Sequence, residues 1–447
     1  MSTMTPQEIA LIELTLKWRE MLEAQFRRQG KTVARRLALC IVEGLVFVKL
    51  AQQRKLERAD RLSSLLSAKN TVQAVQSLFI NARIKYHSAI FDLPLLHDSL
   101  RLRRALRSVV RRIYNSRKRF SPSILGKIYE TDRDGRKNGV FYTPDFISEY
   151  IVDRTLKPLL CAPKRHARSG KAITVVDPAC GAGAFLLKAF DCILQAGGAK
   201  KSFEQKQDVL LASIFGVDID ATGVELTKLS LLLKLYDGAT RASLINSSVP
   251  DLSANIRCGN ALISSNFTNA TPLRWAKAFS RVTRGGGFDA VIVNPPYVNI
   301  RQLTRSHGAA LTRYLAGKYV CARGAYDLYV LFFEKSLALL KPGGRLGMIF
   351  PNKVATFGYA AGCRKMLLAK TRIESIADIS PMCVFSKTGV YPYILICEKT
   401  AAHEQHCIEV VEAYSRADLK RDAAVAALRQ SALDHQKGFN VHGNAMD

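Results

Sequence analysis

Along the first 120 positions apolar residues recur at helical spacing, β-branched clusters are few, and proline occurs only at Pro6 and Pro94. This pattern predicts an α-helical domain over residues 1–120. Near its end Leu102, Leu106, Val109, Val110 and Ile113 form one apolar stripe, as on an amphipathic helix. Residues 121–123 and 131–139 are rich in turn formers and charge and read as linker and loop. Strand and helix patterns then alternate. Expected strands lie at 173–177, 214–218, 256–260, 288–294, 345–350, 373–379 and 391–397. Helices are expected from 184, from 221 to about 235, and from 327 to 340, the last stopped by Lys341-Pro-Gly-Gly344. Continuous apolar strands alternating with helices predict an α/β fold. It is a doubly wound, mostly parallel, seven-stranded sheet over residues 121–400, preceded by the helical domain. Residues 401–447 are expected to add one short strand and one helix.

Composition narrows this picture. The chain has 447 residues, 48 % of them hydrophobic, with ordinary Gly (28) and Pro (15), which excludes wholesale disorder and collagen-like structure. The 66 Lys+Arg outnumber the 37 Asp+Glu, giving a formal charge of +29. Such a balance predicts a polyanionic partner, nucleic acid or an anionic membrane. No apolar run is long enough to span a bilayer; the nearest, 37–50, is short and broken by Glu43. The N-terminus carries acids and lacks the apolar core of a secretory signal. Ten scattered cysteines form no CxxC pair, so neither a metal site nor a redox dithiol is indicated. Reduced thiols in a cytoplasmic protein fit best. The stretch 101–119 holds nine basic residues and no acid. Its Arg103, Arg104, Arg107, Arg111 and Arg112 are read as contacts to a phosphate backbone, the plainer alternative being a solvated helix face.

In a doubly wound sheet, ligands bind beyond the carboxyl ends of the strands, near the switch point. Four segments fall there. Asp177-Pro-Ala-Cys-Gly181-Ala-Gly183 follows the first strand and opens a helix. Its glycines let backbone pass close to a ligand, although the segment also reads as a plain turn. Asp218-Ile-Asp220 ends the second strand; an acid there can bind vicinal ribose hydroxyls, while Asp220 suits a helix N-cap. Gly259-Asn260 follows the third and offers an amide to a purine edge. Asn294-Pro-Pro-Tyr297 follows the fourth. Pro295 and Pro296 fix the backbone, so the Asn294 amide and the Pro295 carbonyl stand as rigid acceptors beside an aromatic face. That set suits a planar base with an exocyclic amino group; a proline-rich turn is the alternative.

Together these motifs resemble the N6-adenine DNA methyltransferases of the gamma order, as in the methylase part of type IIG restriction-modification enzymes and in phage-exclusion methylases. In that order a motif touching the methionine end of the cofactor precedes the Gly loop, as Gly139-Val-Phe-Tyr-Thr143-Pro144 does here. The resemblance covers about residues 120–400. It implies S-adenosylmethionine as cofactor and double-stranded DNA as partner, with methyl transfer to adenine N6. It places Thr143, Asp177, Ala179, Gly181 and Gly183 around the methionine part, Asp218 on the ribose, and Asn260 on the adenine amino group. Asn260 departs from the acid that family members often carry. Asn294 and Pro295 would accept hydrogen bonds from the target amine, and Tyr297 and Phe385 would stack on the flipped base, offsetting a cost of a few kcal/mol. The same Asn-Pro-Pro-Tyr also serves enzymes that methylate protein glutamine or ribosomal RNA guanine, and a non-catalytic DNA-binding subunit is a further alternative. Only helical pattern occupies the first 120 residues, so no nuclease is expected. With residues 401–447 alone following the methylase, site recognition is expected from a separate specificity subunit, or the chain is truncated.

Overall fold

The computed structural model describes residues 4–116, 119–134, 143–161, 172–196, 201–240, 248–265, 271–384, 391–421 and 424–430, with Gly198, Leu433 and Gln436. The N-terminal part is helical: α1 (Pro6–Phe26), α2 (Lys31–Gln53), α3 (Arg61–Ser67), α4 (Thr71–Tyr86) and α5 (Leu100–Asn115). The apolar run around Glu43 lies in α2, which is buried against its neighbours, and Glu43 is fully buried in an ion pair with Arg19 of α1. Among the described residues no helix is long and apolar enough to cross a membrane. Ser99 caps α5, accepting from the Leu102 amide at 3.1 Å. The stripe Leu102, Leu106, Val109, Val110 and Ile113 is buried, and each such side chain contributes about 1.5–3 kcal/mol of transfer free energy.

The sheet has nine strands: β1 (Val175–Asp177), β2 (Ile214–Asp218), β3 (Ile256–Cys258), β4 (Phe288–Val293), β5 (Leu340–Pro351), β6 (Arg372–Asp378), β7 (Pro392–Glu398), β8 (Cys407–Glu412) and β9 (Ala424–Arg429). Their order is β3-β2-β1-β4-β5-β7-β6-β8-β9. Strands β1 to β5 run parallel, and β7 is antiparallel to both β5 and β6. Chain order reverses between β1 and β4, so the switch point lies there. Two strands lie beyond the seven of the expected core, where one further strand is expected. Both come from the segment after Thr400, where β8 pairs in parallel with β6 and β9 closes the edge against β8. The β9 sequence, Ala-Val-Ala-Ala-Leu-Arg, has the composition of a helix; pairing with β8 overrides that local preference. Lys341-Pro-Gly-Gly344 is part of β5 rather than a bare stop, bonded to the end of β7 through Gly343 N to Lys399 O and Lys399 N to Gly344 O.

Two helices join the halves. These are α6 (Ile124–Asp134) and α7 (Asp145–Cys161). The buried Lys127 ammonium of α6 lies 3.0 Å from Glu8 of α1 and 2.8 Å from Asp145 at the start of α7. A buried amine with two carboxylates fixes the entry to α7, and therefore the adjoining Thr143-Pro144. One apolar cluster runs from Leu11 of α1 through α6 and α7 to β1 and Leu419. The change of pattern near residue 120 is thus a change of element type within a shared core. All ten cysteines are free thiols, five of them buried.

Candidate active site

The ends of β1, β2, β3 and β4 and the start of α7 enclose one cavity of about 240 Å³. A single water needs roughly 10–15 Å³ of such space, so the cavity is ligand-sized. Thr143, Asp177, Ala179, Gly181, Asp218, Asn260, Asn294, Pro295 and Pro296 all line it. Gly183 stands behind the wall at the N-cap of the helix Ala184–Gln195, in left-handed conformation (φ 89°), where a Cβ would come within 2.9 Å of Thr227. The loop is braced from below. Asp177 accepts from the Ala179 amide (2.9 Å), and Asp218 accepts from Gly181 N and Asp220 N (2.8 Å each). Thr227 donates to the Gly181 carbonyl at 3.0 Å. Asp220 caps the helix Ala221–Leu235, accepting from Thr222 N at 2.9 Å, and receives the Tyr129 hydroxyl.

Asn294 leaves β4 at the mouth. Its amide Nδ2 donates to Thr143 Oγ1 at 2.9 Å, which joins two segments 151 residues apart. That bond orients the amide, leaving Oδ1 as the free acceptor. Oδ1 is buried and has no hydrogen-bond partner among the described residues. A buried orphan acceptor costs about 1–3 kcal/mol, so it marks a place where a donor is expected. Asn260 is placed differently: its Oδ1 already accepts from Leu262 N at 3.0 Å, which leaves one lone pair for a ligand.

The cavity is acidic in a basic protein. Glu130, Asp177 and Asp218 line it, and none of its described lining residues is Lys, Arg or His. Burial, and then the neighbouring Asp218 carboxylate, push the Asp177 carboxyl well above its ordinary value. A cationic ligand would relieve both effects. Opposite the carboxylates, Ile263, Leu303, Leu311, Leu315, Leu328 and Phe332 give an apolar wall.

Tyr297 and two of the α5 arginines meet a different arrangement, and one expectation falls outside the described residues. Tyr297 does not face the cavity; it is half-buried, packed against both apolar clusters of the protein, and burial pushes its phenol well up. Phe385 and the residues 139–142 ahead of Thr143 lie outside the described residues. On α5, Arg104, Arg111 and Arg112 are exposed or partly so, but Arg103 is held by Asp98 and Arg107 donates to the Ala68 carbonyl at 2.9 Å. The offsetting groups lie outside the acid-free window. Sequence reasoning missed Glu130, which sits on α6 with no motif around it, and the apolar wall, whose leucines have ordinary core spacing.

Residues 212–385 match the model of the Eco57I restriction-modification methylase family. The matched stretch holds strands β2 to β6. Over 408 residues it is 26 % identical to the type II restriction enzyme and methyltransferase RM.Eco57I of Escherichia coli, covering 80 % of this chain and 40 % of that protein. It is 25 % identical to the adenine-specific methyltransferase PglX of Streptomyces coelicolor, over 50 % of this chain and 20 % of that one. The chain therefore spans less than half the length of these relatives. Among solved structures, the type IIL restriction-modification enzyme MmeI in complex with DNA superposes with a TM-score of 0.59 at 16 % identity, over 94 % of this chain and 60 % of that one. The type I restriction-modification methyltransferase subunit of Streptococcus thermophilus gives 0.54 at 14 % identity, over 93 % and 92 %. These likenesses show the fold, in which Asn294 and the Asp177 loop both stand at the carboxyl ends of the parallel strands.

Proposed function

We propose that this chain transfers a methyl group from S-adenosylmethionine to N6 of adenine in DNA, as the modification component of a restriction-modification or phage-exclusion system. The observation that carries the reading is the buried Asn294 Oδ1, without a partner among the described residues, beside an acidic cavity. The names of the relatives agree: PglX is described as adenine-specific, and MmeI was solved on DNA.

The cavity fits the cofactor by charge. S-adenosylmethionine, when bound, supplies a methyl group on a positively charged sulfur and carries a second charge on its amine. Asp177 and Glu130 stand where such charges need partners, and Asp218 and Asn260 stand at the ends of β2 and β3 for the nucleoside. The residues then act on the acceptor. Asn294 Oδ1 and the Pro295 carbonyl would accept hydrogen bonds from the two N–H groups of the adenine amine and draw the nitrogen toward a pyramidal shape; as the new N–C bond replaces the S–C bond, the nitrogen sheds one of these protons to solvent. This localises a lone pair that the ring otherwise delocalises. Thr143 keeps the Asn294 amide from turning its donor side to the amine. Most of the rate gain comes from this alignment. We assign Tyr297 and Phe385 to the faces of the flipped base, Tyr297 by rotating out of its apolar seat. We assign phosphate-backbone contact to α5.

The test incubates the protein with genomic DNA, RNA and protein acceptors and digests each for mass spectrometry. N6-methyladenine in DNA is expected for the wild type. Asn294→Ala should lower the rate on the order of 10²–10³-fold, as for other preorganised hydrogen-bonding groups, with cofactor binding retained. Methyl transfer to RNA or glutamine alone, or an unaffected Asn294→Ala, defeats the reading.

A further inference from the structure

Four aromatic side chains are exposed among the described residues, and three of them lie beyond the same edge of the sheet. Tyr114 lies on α5; Phe357, Tyr391 and Tyr414 are 48 %, 55 % and 67 % exposed. Phe357 follows the end of β5, Tyr391 immediately precedes β7, and Tyr414 follows β8. Because β7 runs antiparallel to β5, its start lies at the edge where β5 ends. All three rings therefore stand on the edge from which Asn294 projects. The loops bearing the first two are joined: Asn352 N donates to the Tyr391 carbonyl at 2.7 Å. The next residue, Lys353, places its ammonium 5.8 Å from the centre of the Phe357 ring.

The register fixes how far this surface is from the catalytic loop. Val293 pairs with Met348, so Asn352 lies one strand across and three residues beyond the level of Asn294. At the usual strand spacing and rise, that is roughly 10 Å, or about three base steps of DNA. Scattered exposed rings are ordinary on a protein surface. Rings collected on one functional edge, beside a cation and in a chain of net charge +29, match a ligand with flat apolar faces and flanking phosphates. Every nucleobase has such a face, whatever the sequence.

We propose that Phe357 and Tyr391, with Lys353, form a stacking platform for an unpaired nucleobase close to the one drawn to Asn294. The platform takes either the partner base left without its mate or a base next to the target. It rests on the reading of nucleic acid as the substrate, and it adds a contact surface apart from the catalytic loop.

The experiment uses the full chain and a short oligodeoxynucleotide containing 2-aminopurine, whose fluorescence is quenched by stacking. The wild type should bind and quench it. Phe357→Ala/Tyr391→Ala should lose most of the quenching and bind more weakly by about tenfold per ring, while Phe357→Tyr/Tyr391→Phe keeps both. Lys353→Gln, with the rings intact, should weaken binding and leave the quenching of the bound complex. Retained cofactor binding shows that the variants are folded. A double-alanine variant that binds and quenches like the wild type overturns the platform, as does a wild type that binds without quenching. The two readings fail separately. If the wild type methylates DNA and the double-alanine variant does so equally well, the platform falls and the function stands. If the wild type methylates no DNA, the function falls.

Discussion

At the scale of single residues, the Thr143–Asn294 bond is the most informative contact in the molecule. An asparagine amide presents an acceptor and a donor of almost the same shape. Facing a substrate amine, the wrong half would repel. Thr143 removes the ambiguity by occupying the donor. Thr143→Val keeps the shape but withdraws the acceptor, so single-turnover methyl transfer should slow by up to about tenfold, the worth of one neutral hydrogen bond. Thr143→Ser should restore it. Asp177 gives a second prediction. Its carboxyl is raised by burial first and by Asp218 second. A cation beside it favours the charged form, so binding expels a proton from the protonated fraction. Cofactor affinity should therefore rise with pH through that raised range and fall as the carboxyl protonates. Titration calorimetry in buffers of different ionisation enthalpy should detect the released proton in the wild type and not in Asp177→Asn.

At the scale of elements, two helices matter for different reasons. The helix Ala221–Leu235 comes so close to the Gly loop that a Cβ on Gly223 would sit 2.8 Å from the Gly181 carbonyl. Backbone cannot yield there without moving the loop. Gly223→Ala should weaken cofactor binding by displacing Gly181, measurable by calorimetry with the fold monitored by circular dichroism. On α5, Arg104, Arg111 and Arg112 are available to phosphates, whereas Arg103 and Arg107 are engaged within the protein. Replacing the first three by alanine should lower the slope of log K against log salt by about 0.9 for each phosphate that is no longer neutralised. Arg103→Ala should change that slope little.

At the scale of the whole molecule, the parallel half of the sheet is readable because β1, β2, β4 and β5 each carry an apolar run. The span of β2, Ile214–Asp218, agrees with the sequence reading to the residue. The edge strand β9 was not readable, since an alanine-rich segment becomes a strand only when β8 offers it a partner. The site divides in the same way. Residues in local motifs at strand ends, such as Asp177, Asp218 and Asn294, could be named in advance. Glu130 and the leucines of the apolar wall could not, because they reach the cavity only through tertiary packing. Tyr297 shows the limit of a motif, which names a side chain without fixing where it points.

The acidic cavity has a consequence for how two ligands of opposite sign share one edge. The surface of this molecule attracts a polyanion, while the cavity, lined by Glu130, Asp177 and Asp218 with no cation among its described lining residues, repels one. On the proposed function, a duplex drawn to the surface could not slide its phosphates into the pocket, whereas a neutral base swung out of the stack could enter. Charge would then work as a sieve at the mouth, turning a phosphate backbone aside and admitting the uncharged base.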